Sequence, residues 1–204
     1  MRAVIIAGGQ IKDYTFIKSQ LQPNDTIICA DSGYIHAKEM GLSISVAVGD
    51  FDSLGFIPKD TPVVAHPSDK NLTDTEIAID YAREKGFTDF LLLAATGTRY
   101  DHSLTNILLL KSFLSRGETA VIVDEHNKIM MTNYRLQIKE APGSIISLVP
   151  LEDCYGVCTK NLLYPLNGDT LYVGKGLSVS NVMMGYNAEV SVKEGLLLII
   201  VARD

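Results

Sequence analysis

Short apolar runs without polar alternation constrain this chain most. Ala3–Ala7, Thr26–Ala30, Ser45–Val48, Pro62–Ala65, Phe90–Ala94 and Thr119–Val123 are bounded by Gly, Pro, Asp or Asn and read as strands. Several are apolar at successive positions, as strands buried on both faces of a parallel sheet must be. Helical patterns stand between them, at Tyr14–Leu21, Tyr34–Met40, Asp74–Lys85 and His102–Ser115. The third has a defined start: Thr73 with Glu76 fits a capping box, and Ile77, Ala78 and Tyr81 supply its apolar stripe. Strand alternating with helix implies an open α/β sheet, which binds ligands at the carboxyl ends of its strands.

The pattern changes after about Glu125. Short β-like segments follow at Arg135–Ile138, Ser144–Pro150, Gly156–Thr159, Thr170–Val173, Ala188–Val192 and Leu196–Ala202, separated by Gly, Pro and Asn. The expectation is an α/β N-terminal domain over residues 1–125, mostly parallel sheet with flanking helices. An all-β sandwich or part-barrel then occupies residues 126–204.

The 204 residues, 47% apolar and 21% charged, are ordinary for a globular protein. A net charge of −6 argues against a nucleic-acid binder but permits a nucleotide accompanied by metal ions. No apolar run approaches the roughly 18 residues of a membrane span. The apolar start after Met1 is too short for a signal peptide and reads as a first strand ending at Gly8-Gly9. Cys29, Cys154 and Cys158 form no disulfide framework and fit plain thiols in a reducing cytoplasm.

Four strand or helix ends carry the chemistry. In Val48-Gly49-Asp50-Phe51-Asp52-Ser53-Leu54, two carboxylates one residue apart are expected on one side of the chain. Their repulsion is relieved by a hard cation such as Mg²⁺, against the plainer reading of a solvated turn. Ala30-Asp31-Ser32-Gly33 follows another strand, and Asp69-Lys70-Asn71-Leu72-Thr73-Asp74-Thr75-Glu76 opens the third helix. Ala95-Thr96-Gly97-Thr98-Arg99-Tyr100-Asp101-His102 follows a third strand. Asp31, Asp50, Asp52 and Asp74, flanked by Lys70 and Arg99, point to metal plus phosphate. No P-loop is present. Gly8-Gly9-Gln10 lets backbone approach a ligand or is simply a turn. Asp101 is an acceptable N-cap for the helix from His102, while His36, His66 and His126 have no evident partners. Met183, Met184 and Tyr186 line a ring site or merely pack.

Together these motifs, in this order and spacing, resemble the thiamine pyrophosphokinases. Leu177-Ser178-Val179-Ser180-Asn181 is similar to that family's Ser/Thr-Ser-Asn segment, so the resemblance covers nearly the whole chain. It implies transfer of the terminal pyrophosphate of ATP to the hydroxyethyl group of thiamine, releasing AMP. It also implies a homodimer with active sites at the subunit interface. By position, Asp31, Asp50, Asp52 and Asp74 would serve Mg²⁺; Lys70, Thr73, Arg99, Asp101 and His102 would serve the nucleotide phosphates or the groups that support those contacts. Ser180 and Asn181 would reach thiamine from the partner subunit.

Elementary chemistry agrees. A primary alcohol is a poor nucleophile and a triphosphate is highly anionic, so alignment and charge neutralisation are the tasks. Asp50, Asp74 and Asp101 are each able to accept the alcohol's proton. Two other readings compete: a phosphohydrolase with Asp50 as nucleophile, and a nucleotide-binding regulator on the same fold without turnover.

Overall fold

A computed structural model of the chain describes residues 1–65 and 72–203. It divides into two compact units, Met1–Glu125 and His126–Asp204.

The first unit is built on six parallel strands: β1 (Ala3–Ile6), β2 (Thr26–Ala30), β3 (Val46–Gly49), β4 (Val63–Ala65), β5 (Asp89–Leu93) and β6 (Thr119–Val123). Their spatial order is β6-β5-β1-β2-β3-β4. Every residue of β1 and β3 is buried, which accounts for their unbroken apolar runs. On one face Val4, Ile6, Cys29, Ala47, Leu91 and Leu93 pack against Ile17 of α1 (Tyr14–Ser19) and Tyr34 and Ala37 of α2 (Gly33–Glu39). On another contact surface Phe90 of β5 meets Phe113 of α4 (Tyr100–Ser115), ring centroids 4.8 Å apart. Arg83, near the end of α3 (Asp74–Glu84), lies over the Phe113 ring and bonds Glu118 at 2.8 Å, tying α3 to α4. Helix α3 starts with a complete capping box: Glu76 donates its N–H to Thr73 Oγ1, and Thr73 donates its N–H to Glu76 Oε2.

The second unit is antiparallel throughout. One sheet joins β7 (Asn127–Thr132), β14 (Leu197–Ala202), β9 (Ile145–Pro150) and β12 (Asn181–Val182). The other joins β8 (Arg135–Lys139), β13 (Asn187–Ser191), β10 (Cys154–Lys160) and β11 (Asn167–Leu171). Alternate residues face the shared core: Ile146 and Leu148 of β9 and Leu197, Ile199 and Val201 of β14 meet Ile138, Val157, Ala188 and Val190. The expected architecture, an α/β domain followed by an all-β sandwich, is the observed one.

One local expectation needs correction, and two further features have no settled reading in the sequence. β7 carries Asn127, Lys128 and Thr132 among its apolar residues and gives no clear apolar signal. Helix α4 begins at Tyr100 rather than His102, with Arg99 at the N-cap position and no side-chain cap, so Asp101 sits in the first turn. Met183 is fully buried in the second core, whereas Met184 and Tyr186 are exposed. Among the described residues, no helix is long and apolar enough to cross a membrane.

Candidate active site

Strand order in the first unit reverses between β1 and β5, and a cleft of about 720 Å³ lies at that switch point. Gly8, Gly9 and Gln10, just after β1, line it. So do Asp31 and Ser32 after β2, Thr73 and Asp74 at the start of α3, and the Ala95–Arg99 loop after β5.

The turns into this cleft are tight. Asp31, Phe51 and Ala94 have φ of 45°, 62° and 50°, and Gly49 has 152°. Left-handed backbone at non-glycine residues costs about 1–3 kcal/mol each and persists only where packing enforces it. Phe51 shows how: its side chain is buried in the first core, which turns the flanking residues outward. Gly9 donates its N–H to the Ala94 carbonyl at 2.7 Å, and a Cβ there would collide with the carbonyl oxygens of Ala94 and Thr96. Only glycine allows the β1 and β5 exits to pack this closely.

Asp31, Asp50 and Asp74 are brought together. A Cβ on Gly49 would come within 3.2 Å of Asp74 Oδ1 and 3.3 Å of Asp31 Cβ, so the Asp74 carboxylate and the base of the Asp31 side chain meet over that glycine. Burial raises the pKa of Asp74, and the charges of Asp50 and Asp31 raise it further, against a backbone N–H of Asp50 that bonds it. Asp31 Oδ1 is buried and has no hydrogen-bond partner. A lone buried carboxylate oxygen beside two further carboxylates is a donor set that suits a hard divalent cation. Among the described residues, no three His, Cys, Asp or Glu side chains yet stand close enough to hold an ion as they are.

Asp52 stands apart. Its N–H donates to Asp50 Oδ1 at 3.1 Å, and the left-handed Phe51 between them breaks the alternation that would have put both carboxylates on one side. The Asp52 side chain is exposed and does not line the cleft. Lys70 and His66 lie outside the described residues.

On the opposite side of the acidic set, the Ala95–Arg99 loop is tied to α4. Asn106 donates to the Ala95 carbonyl at 2.7 Å, Gly97 donates its N–H to Ser103 Oγ at 3.0 Å, and that hydroxyl lies 2.9 Å from the Arg99 carbonyl. Thr96 donates to Asp124 Oδ2 at 2.7 Å. Arg99 lines the cleft and pairs with Asp101 at 2.6 Å, both side chains about two-thirds exposed at 69% and 64%. The Arg99 bond, then the His102 backbone, hold the Asp101 carboxyl down at about 2. A carboxyl so weakly basic is a poor proton acceptor. His102 is exposed and lines the cleft.

His36 has partners that sequence did not indicate. Its Nε2 lies 2.7 Å from the Gly9 carbonyl and its Nδ1 2.8 Å from the Tyr14 hydroxyl. A carbonyl only accepts, so Nε2 carries the proton and, in neutral imidazole, Nδ1 accepts from Tyr14. His126 Nδ1 lies 3.3 Å from the Arg203 carbonyl. Ser103 and Asn106 carry no signal in the sequence and Thr96 only falls within a motif; nothing in local pattern reveals the Arg99 and Ala95 carbonyls or the Asp124 carboxylate they bind.

In the second unit, Asn181 is 4% exposed and spends its amide on Tyr164, accepting from its N–H at 3.0 Å and donating to its carbonyl at 2.6 Å. Ser180 is exposed, adopts φ 61°, and donates its N–H to Ser147 Oγ at 3.0 Å.

The model of the thiamin pyrophosphokinase catalytic domain matches residues 17–123, and that of the thiamin pyrophosphokinase vitamin B1 binding domain matches residues 133–197. The chain belongs to the thiamine pyrophosphokinase family. It is an enzyme of thiamine diphosphate formation. A thiamine pyrophosphokinase of Bacillus subtilis (strain 168) is 28% identical over 210 residues, covering 98% of each chain. The crystal structure of thiamine pyrophosphokinase from Bacillus subtilis superposes with a TM-score of 0.87 at 27% identity, covering 100% of both chains. Thiamin pyrophosphokinase from Geobacillus thermodenitrificans gives 0.86 at 26%, covering 100% of this chain and 98% of the other. Membership in the thiamine pyrophosphokinase family disfavours the phosphohydrolase and regulator readings.

The crowding of carboxylates has a measurable consequence. Because the folded-state pKa of Asp74 is raised, its ionised form costs stability. That cost is full above the folded pKa and vanishes as pH falls below the unfolded value. In chelator, Asp74→Asn is therefore expected to melt higher than the parent at pH 7, with the gap closing toward pH 4. A variant that melts lower at pH 7 while retaining native circular dichroism contradicts the crowding.

Proposed function

We propose that this enzyme transfers the terminal pyrophosphate of ATP to the hydroxyethyl group of thiamine, giving thiamine pyrophosphate and AMP, in a Mg²⁺-dependent reaction. The observation that carries this is the cleft's division. Two carboxylates line one side, Asp31 with a buried unpartnered oxygen and Asp74 with the charge of Asp50 acting on it, and a glycine-containing loop ending in Arg99 lines the other. Metal and anionic phosphate each find complementary groups in one place.

On this reading Asp31, Asp50 and Asp74 would hold Mg²⁺, and Asp52, exposed on the same loop outside the cleft, would reach the ion through water. When bound, the ion neutralises and polarises phosphate oxygens. Arg99, with the N–H groups of its loop, binds the phosphates; Thr73, His102 and Lys70 assist, and Asp101 orients Arg99. The thiamine hydroxyl attacks the β-phosphorus, forming the new O–P bond as the bond to the α-phosphate's bridging oxygen breaks and AMP leaves. Asp74 or Asp50 takes the hydroxyl proton, the bond to Arg99 leaving Asp101 too weak a base.

Residues 1–125 then form the nucleotide- and Mg²⁺-binding catalytic domain, and residues 126–204 the thiamine-binding and dimerisation domain. The match of residues 133–197 to a vitamin B1 binding domain supports this division. Ser180, exposed at a left-handed turn, faces thiamine from the partner subunit of a homodimer, and Asn181 fixes that turn through Tyr164. A cytoplasmic setting suits the three free thiols; burial pushes that of Cys29 up to about 12.

Asp50→Asn or Asp52→Asn removes a hard anionic group at nearly constant volume. Each is expected to cut thiamine pyrophosphate formation by about a hundredfold or more, since even outer-shell partners of a metal cost 10–100-fold. Near-normal turnover at ordinary Mg²⁺ by either variant removes that residue from the metal site.

Shared sites are tested by mixing. Ser180→Arg sets bulk and positive charge against cationic thiamine. Mixed with Asp50→Asn protein, it should regain activity, because each heterodimer has one site with both changes and one with neither. At full exchange roughly a quarter of all sites are intact. Heterodimers confirmed by mass spectrometry that remain inactive place Ser180 in its own subunit's site.

A further inference from the structure

We propose that His36 is a positioning residue for nucleotide binding: by fixing the Gly9 carbonyl it sets the Gly8–Gln10 turn against which ATP lies. This rests on the cleft being the ATP site. His36 stands 27 residues from Gly9 in sequence, on α2, yet Nε2 lies 2.7 Å from that carbonyl. The imidazole is itself fixed from α1, where Tyr14 Oη lies 2.8 Å from Nδ1 and the two rings are 5.8 Å apart. Burial, then the Glu39 charge, raise the Tyr14 pKa, so its hydroxyl keeps its proton as a donor. His36, Gly8, Gly9 and Gln10 all line the cleft.

The turn needs such a restraint. Two successive glycines leave the backbone unusually free, and β1 ends at Ile6. From one side the Gly9 N–H is anchored to Ala94 at 2.7 Å; His36 anchors the carbonyl of the same residue. With both groups of Gly9 engaged, the Gly8–Gly9 and Gly9–Gln10 peptide planes are both fixed and Gln10 is held toward the cleft before any ligand arrives. A preset surface spares the binding energy otherwise spent on ordering the loop. His36 need not touch the reacting atoms, so its loss should weaken binding rather than the chemical step.

The test uses His36→Ala and His36→Gln, because the Gln amide nitrogen extends to about the position of imidazole Nε2 and restores the donor to Gly9. Affinity for a non-hydrolysable ATP analogue with Mg²⁺ is measured by calorimetry, alongside KM for ATP, kcat and thermal midpoints. Loss of one neutral hydrogen bond at a preset loop is expected to weaken analogue affinity and raise KM for ATP by about tenfold in His36→Ala, with kcat within about twofold. His36→Gln should recover most of that loss. Unchanged analogue affinity in a folded His36→Ala protein overturns the proposal. So does an amide variant no better than alanine, or a fall in kcat with affinity intact. A parent enzyme that does not bind the analogue at all instead overturns the assignment of the cleft to ATP.

Discussion

The burial of Asp74 beside the charges of Asp50 and Asp31 is the constraint around which the catalytic unit is organised. Separated carboxylates would cost less, yet the backbone gives them no way apart. β2 and β3 are adjacent parallel strands, buried along nearly their whole length, and their exits must emerge side by side. Left-handed turns at Asp31 and Phe51, with Gly49 ending β3, bring Asp31 and Asp50 out at the same edge of the sheet. The N-terminus of α3 adds Asp74 from a third direction, held there by the Thr73–Glu76 box. Strain and like charge are thus stored at one place and supported by an apolar sheet buried on both faces.

The other half of the cleft is controlled by neutral hydrogen bonds. Ser103 and Asn106 hold the loop after β5, and His36 holds the turn after β1. α2 also reaches the segment that carries the acids. Tyr34 donates to Asp60 Oδ1 at 2.7 Å and Lys38 to Oδ2 at 2.8 Å, closing the loop that begins at Asp50. One short helix therefore braces two loops of the site, from different residues spaced along it.

Most of the architecture was legible in sequence because burial on both faces leaves undivided apolar runs, and alternate burial leaves period-two runs. β7 escaped because its buried apolar positions, Ile129 and Met131, are bracketed by the polar Asn127, Lys128 and Thr132, the last of which is also buried. The charged residues were legible as types at strand ends. Their mutual placement was only partly so: the expectation that Asp50 and Asp52 share a side assumed regular alternation, and a buried Phe51 in left-handed backbone removes it. Residues that act through distant carbonyls, such as His36 and Asn106, were illegible, because tertiary packing alone creates their partners.

Product identity tests the central claim most directly. Purified enzyme with ATP and Mg²⁺ is assayed with and without thiamine, and adenine nucleotides, phosphate and thiamine phosphates are separated and counted. Transfer of two phosphoryl groups together predicts AMP and thiamine pyrophosphate in equal amounts, with little nucleotide consumed when thiamine is omitted. ADP with thiamine monophosphate, or phosphate released without thiamine, would contradict the account.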